Sequence, residues 1–168
     1  LRGGGLYLSG NSVLILIGEI SGNRAVDGGG IFADGNSIVY LTENSRLNKN
    51  RASTNGGALY LNDNSSIVVK GKYNRSEITE NHASYGGAIY FNSANTQSIL
   101  ASSSISGNGA DVGASSSGGA IYVASGELTL SGTNITGNSA KLTGGGIYVT
   151  NGATLQVTAG SVSGNNAS

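Results

Sequence analysis

The chain has no cysteine, proline, methionine or tryptophan, and its 168 residues include one histidine, His82. Without cysteine there is no disulfide framework, no thiolate metal site and no thiol nucleophile. A lone histidine excludes a multi-histidine metal centre, so neither a metal nor a cofactor is expected. Charge is scarce as well: charged residues make up 11%, and Lys+Arg 9 balance Asp+Glu 9. Nothing electrostatic draws the whole chain to nucleic acid or to an anionic membrane. The longest apolar run is Val13–Ile17. That is far short of the roughly 18 residues a spanning helix needs, so this segment is not expected to insert into a membrane.

What the chain has in excess is glycine, 29 residues, and it falls in a repeat. The string Gly-Gly-(Gly/Ala)-(Ile/Leu)-(Tyr/Phe) occurs six times, at Gly3–Tyr7, Gly28–Phe32, Gly56–Tyr60, Gly86–Tyr90, Gly118–Tyr122 and Gly144–Tyr148. A second string, apolar-x-x-Asn-x-Ala, alternates with it six times: Ile20–Ala25, Leu47–Ala52, Ile78–Ala83, Ile105–Ala110, Ile135–Ala140 and Val162–Ala167. Aromatic-to-aromatic spacings are 25, 28, 30, 32 and 26 residues, the longest containing the insertion Asp111–Ser117. Segments rich in Gly, Ser, Thr and Asn with period-2 alternation make poor helices. Three short strands and their turns fit one coil of a parallel β-helix, an all-β solenoid. The expected coils cover about 1–27, 28–55, 56–85, 86–117, 118–143 and 144–168. Six coils at about 4.8 Å give a rod of about 29 Å.

Alternation assigns the faces. Residues on either side of each aromatic are apolar, which puts them inside and turns Tyr7, Phe32, Tyr60, Tyr90, Tyr122 and Tyr148 outward as a stacked ladder. Ile20, Leu47, Ile78, Ile105, Ile135 and Val162 form another interior column. The middle strand has an ambiguous register where VLILI and SIVYL are apolar at consecutive positions. The column Asn23, Asn50, Asn81, Asn108, Asn138 and Asn165 is expected to be structural. Asn tolerates the left-handed backbone of a tight corner, and its amide can bond its equivalents above and below. The paired glycines fit corners that need positive φ or close packing. They lack the Lys-Ser/Thr ending of a phosphate loop.

GGAIY followed by ITxNxA resembles the GGA(I/L/V) and FxxN tandem repeats of the polymorphic outer-membrane proteins, which are autotransporter adhesins. It is also similar to adhesin-like proteins of the right-handed parallel β-helix, pectin-lyase-like group. The phenylalanine of FxxN is Ile, Leu or Val in all six copies here. The resemblance implies a right-handed coil, an extracellular or cell-surface location, and a role in adhesion or scaffolding. Partners on this reading are a host-cell surface or a polysaccharide.

The same group includes polysaccharide-cleaving enzymes, and these need paired carboxylates across a groove or calcium with a base. The nine acids, Glu19, Asp27, Asp34, Glu43, Asp63, Glu77, Glu80, Asp111 and Glu127, mostly fall at different offsets in different coils. No catalytic residue is therefore assigned, and no enzyme is expected. A carbohydrate-active or carbohydrate-binding β-helix with its active coils outside this segment is the alternative. Charge concentrates between Glu43 and His82, where motif alignment sets Lys49 beside Glu80 and Arg51 beside His82, and His82 reads as a solvated surface residue. Sequons at Asn64, Asn74, Asn134 and Asn166 are candidate glycosylation sites. The two ends share one phase of the coil and show no evident cap. The expectation is a window of a longer array, or a unit stacking end to end with further coils or other copies.

Overall fold

The computed structural model describes residues 1–70, 75–95, 98–150 and 152–168. No helix occurs among them, and every strand pairing is parallel. The chain is a β-solenoid of about six turns with three sheets running along the rod.

The first sheet stacks Leu6–Leu8, Ile31–Ala33, Leu59–Asp63, Ile89–Ser93, Ile121–Ser125 and Ile147–Val149. Its register aligns Tyr7, Phe32, Tyr60, Tyr90, Tyr122 and Tyr148 coil on coil, as the repeat requires. Ile31, Leu59, Ile89 and Ile121 are fully buried inside, with Ala33, Leu61, Phe91 and Val123 two residues on. The second sheet carries two strands per coil. Val13–Leu16, Ile38–Leu41, Ser66–Val69 and Ser98–Ala101 form one run, and Glu19–Ser21, Arg46–Asn48, Glu77–Thr79 and Ser104–Ser106 the other. In the last two coils the runs merge into Glu127–Thr136 and Thr154–Ser163.

The third sheet adds a strand segment to each coil. Each coil of the first four has four strand segments, one more than the expected three. The extra one is the tail of the Asn motif itself: Arg24–Asp27, Arg51–Asn55, His82–Ala83 and Gly109–Ala110, continued by Ser139–Ala140 and Asn166–Ala167. Four of these six segments are two residues long, too short for alternation to be read from sequence. The ambiguous middle strand is also resolved. Leu14, Leu16, Val39, Leu41, Ile67, Val69 and Leu100 belong to the core, while Val13, Ile15, Tyr40 and Ile99 face out.

The glycine motif has a separate reason at each position. Gly28 opens its copy with φ 62°, and the equivalent glycines of the other five copies are also left-handed. A Cβ on Gly29 would run into the carbonyl oxygen of Gly57 and the carbonyl of Arg51 at 2.6 Å. Here the coil closes on itself, backbone against backbone. A Cβ at the third position, as at Gly30, meets the Ala58 carbonyl oxygen at 2.7 Å and the Asn50 amide carbon at 3.1 Å. This place takes only Gly or Ala, and Ala58, Ala88 and Ala120 occupy it in the next three coils. So GGA and NxA are two halves of one contact.

Candidate functional site

Three features line the rod: a largely buried amide ladder, an outward aromatic stripe and shorter columns of polar groups beside it.

In the amide ladder, each Asn Oδ1 accepts from the backbone N–H and the Nδ2 of the asparagine one coil earlier. Asn50 N–H and Nδ2 reach Asn81 Oδ1 at 3.0 and 3.1 Å. Asn81 reaches Asn108 at 2.9 and 3.0 Å, and Asn108 reaches Asn138 at 2.9 Å twice. The same pairing joins Asn23 to Asn50 and Asn138 to Asn165. Nδ2 also donates back to the preceding coil, for instance Asn108 to the Ile78 carbonyl at 2.9 Å. Each of the four inner amides, Asn50, Asn81, Asn108 and Asn138, thereby clamps three coils. The ladder bonds are those expected of a structural column, but the corner argument needs correction. None of the six asparagines has positive φ; the left-handed residue is the one before each, Gly22, Lys49, Glu80, Gly107, Gly137 or Gly164. Asn is there for its two-sided amide.

The aromatic stripe lies outside the core. Neighbouring rings are 5.4, 4.8, 4.9, 5.0 and 4.9 Å apart from Tyr7 to Tyr148. Tyr7 and Phe32 are parallel, Tyr60 stands edge-on to both neighbours, and Tyr90 stacks on Tyr122. Tyr85 packs edge-on against Tyr122 at 5.5 Å. Outward does not mean exposed throughout. Phe32 is 1% accessible, with Tyr7 and Tyr60 on either side and the Arg2 guanidinium 4.9 Å above its ring. Burial pushes the Tyr90 hydroxyl up to about 12, helped by Tyr60 and Tyr122. Burial likewise raises Tyr60 and Tyr122.

Polar columns flank the stripe. On one side Asn62 Nδ2 donates to Asp34, Asn92 Nδ2 to Asn62, and Ser125 Oγ to Asn92, at 3.2, 3.1 and 3.0 Å. On the other, Asn55 Nδ2 donates to Asp27 at 2.8 Å, and Ser117 and Thr143 share a hydroxyl bond. Sequence reading missed a further ladder at the first corner, where Asn36 donates to Asn11 and Asn64 to Asn36. Its signal was the triplet GNS at 10–12 and 35–37, with DNS at 63–65.

The acids were expected to scatter, yet Asp34 and Asp63 meet across two coils. Burial works to raise Asp34, but hydrogen bonds from Asp63, Asn62, the Gly35 amide and Tyr7 outweigh it and hold it below the usual carboxylate range. Its hydrogen bond with Asp34 raises Asp63, with burial and the Asp34 charge adding to the shift. Among the described residues no group of three His, Cys, Asp or Glu could hold a metal.

In the charged region, Arg51 and His82 are register partners, as alignment suggested. His82 is not simply solvated: Nδ1 meets Asp111 Oδ2 at 2.9 Å with its side chain 37% exposed. Lys49 and Glu80 form no ion pair, whereas Arg46 and Glu77 do, at 3.1 Å. Of the sequons, Asn134 and Asn166 are exposed. Asn64 is exposed, but its Nδ2 is committed to Asn36 and the hydroxyl residue Ser66 is 3% accessible. Asn74, like Lys72 of the charged region, lies outside the described residues.

Residues 75–92 and 102–124 match the family model of the Chlamydia polymorphic membrane protein repeat. Those segments include two GGAIY strings and two copies of the Asn motif, which is to say the contact between the glycine corner and the amide ladder. No curated protein and no solved structure matches the chain.

Proposed function

We propose that the chain is a structural and adhesive module of a surface-displayed protein, a stretch of extracellular β-solenoid that presents the aromatic stripe as its contact face. The repeat match supports a surface location. The observation that carries the adhesive reading is the stripe itself, where Tyr7 is 49% exposed and Tyr60, Tyr90, Tyr122 and Tyr148 are half-buried on the outside of the rod. Apolar rings held in line on an external face are what a lateral contact uses. The test replaces Tyr90 and Tyr122 with Ser and measures attachment to cells and self-association alongside unfolding. Loss of attachment or assembly in a folded variant is the expected outcome. A change in stability alone refutes the contact role.

Carbohydrate binding is the second reading, favoured by the amide column Asn62–Asn92 running beside Tyr60 and Tyr90. Incubation with acidic polysaccharides and calcium, followed by assays for reducing ends or unsaturated products, separates binding from cleavage. Neither product is expected.

A further inference from the structure

Parallel strands in register place like positions of successive coils about 4.8 Å apart. On two columns of this rod that rule acts on charged residues with opposite results. In the second sheet Glu19, Arg46 and Glu77 are consecutive partners, so the sign alternates and Arg46 Nε closes on Glu77 Oε2 at 3.1 Å. In the third sheet Arg24 faces Arg51, both exposed, and Arg51 faces His82. Like charges directly opposite are destabilising.

The fold does not relieve this repulsion. Among the described residues neither Arg24 nor Arg51 has a carboxylate within 4.0 Å. Each nearby acid is committed or turned away. Asp27, on the Arg24 strand, accepts from Asn55 at 2.8 Å. Asp111 is held by His82 at 2.9 Å. The Glu80 stem lies over the fourth coil, its Cγ 4.0 Å from where a Gly107 Cβ would be. Two exposed guanidinium groups without an ion-pair partner therefore stand on coils one and two, at register positions of neighbouring parallel strands.

We propose that Arg24 and Arg51 form a binding site for a phosphate group. A guanidinium presents paired N–H donors that match phosphate oxygens. A phosphomonoester carries about −1.5 to −2 at neutral pH, so one group balances both arginines; a carboxylate balances only one. Free phosphate and a phosphate displayed on a surface share this chemistry.

Two signs identify the site. Without ligand, Arg51→Gln relieves repulsion and raises the melting temperature at low salt. With phosphate the order reverses. Inorganic phosphate raises the wild-type melting temperature by about 5 °C near saturation relative to chloride of equal ionic strength. Arg24→Gln and Arg51→Gln lose that rise, and Arg46→Gln keeps it. Co-sedimentation with phosphatidic acid vesicles, against phosphatidylcholine vesicles, then tells a displayed phosphate from a free one, and binding in either arm that depends on Arg51 supports the proposal. Equal responses to phosphate and chloride would mean charge screening alone and overturn it. A phosphate response that survives Arg51→Gln overturns it too.

Discussion

Replacing Asn108 with Ala tests whether the amide ladder or the apolar core alone holds the coils in register. Asn108 is 1% accessible. Its Oδ1 accepts from the Asn81 N–H and Nδ2, and its Nδ2 donates to Asn138 Oδ1, Ile78 O and Ser106 O. The partners do not suffer equally. Asn138 Oδ1 keeps the Asn108 N–H at 2.9 Å, and Asn81 Nδ2 keeps Leu47 O and Thr79 O at 2.9 Å. The Asn81 N–H is left buried without its acceptor, at a cost of about 1–3 kcal/mol. Two or so net bonds at about 1 kcal/mol each bring the total to about 3–5 kcal/mol. Asn23→Ala is the control. Asn23 is half-buried, and Asn50 Oδ1 keeps the Asn23 N–H at 3.1 Å, so no buried group is orphaned. That change should cost about 0.5–1 kcal/mol. At about 2–4 °C per kcal/mol for a chain of this size, Asn108→Ala lowers Tm by about 10 °C and Asn23→Ala by about 2 °C. Circular dichroism melts of both variants make the comparison. Equal losses, or a loss under about 1 kcal/mol at Asn108, refute the ladder argument and leave the core to do the work.

Other substitutions probe other links. Glu80 has φ 54° where four of the six copies have Gly; Glu80→Gly removes a left-handed penalty of about 1–2 kcal/mol against an entropy cost of about 0.5–1 kcal/mol. Denaturant unfolding should show it stabilised by about 0.5–1 kcal/mol, and destabilisation would count against a strained corner. Gly29→Ala drives a methyl into two carbonyls of its own and the next coil, and should cost about 3 kcal/mol or more, seen as lost solubility or a broken melt; Gly30→Ala puts its methyl 2.7 Å from one carbonyl oxygen, that of Ala58, at the position where Ala58 itself stands one coil on, and should cost less, about 1–2 kcal/mol. Tyr90 ionises at about 12 in the fold, first because it is buried, against about 10 unfolded. The raised value favours the neutral, folded form: this stability is complete below about 10 and disappears as pH climbs to 12. Absorbance at 295 nm followed with circular dichroism should show a late tyrosine component absent from Tyr90→Phe, and all tyrosines ionising together near 10 in a folded chain would contradict it.

How far the residues foretold this depended on how strictly a position is constrained. GGA and NxA were legible because each place in them admits one or two residue types. A Cβ at Gly29 meets backbone, and only a side chain that both donates and accepts can fill the Asn81 site. The interior of the first sheet was legible for the same reason, since Ile89 and Phe91 flank a Tyr that cannot also be inside. The second sheet was not, because Ile15 and Tyr40 are apolar on the solvent side and erase the alternation. The His82–Asp111 and Asp34–Asp63 contacts escaped for another reason. Each joins residues at unequal offsets in neighbouring repeats, so aligning motifs could not bring them together.

That difference separates what the repeat conserves from what it varies along this one chain. The amide ladder and glycine corner are the same in all six coils, and they determine that coils stack. The outward positions change from coil to coil: Arg24, Arg51, His82, Gly109, Ser139 and Asn166 occupy a single column. Side chains there are released from packing by the sheet beneath them, and like-charged neighbours are tolerated because backbone bonds and the ladder fix the register independently. A rod built this way can change its surface without changing its core. What distinguishes one coil from another therefore lies in the outward columns, not in the residues that recur in every repeat. The recurring aromatic is the exception, being both outward and near-invariant, and its rings touch each other as closely as strands allow. Stacking explains its recurrence; exposure of its outer edge is what the Tyr90 and Tyr122 substitutions measure.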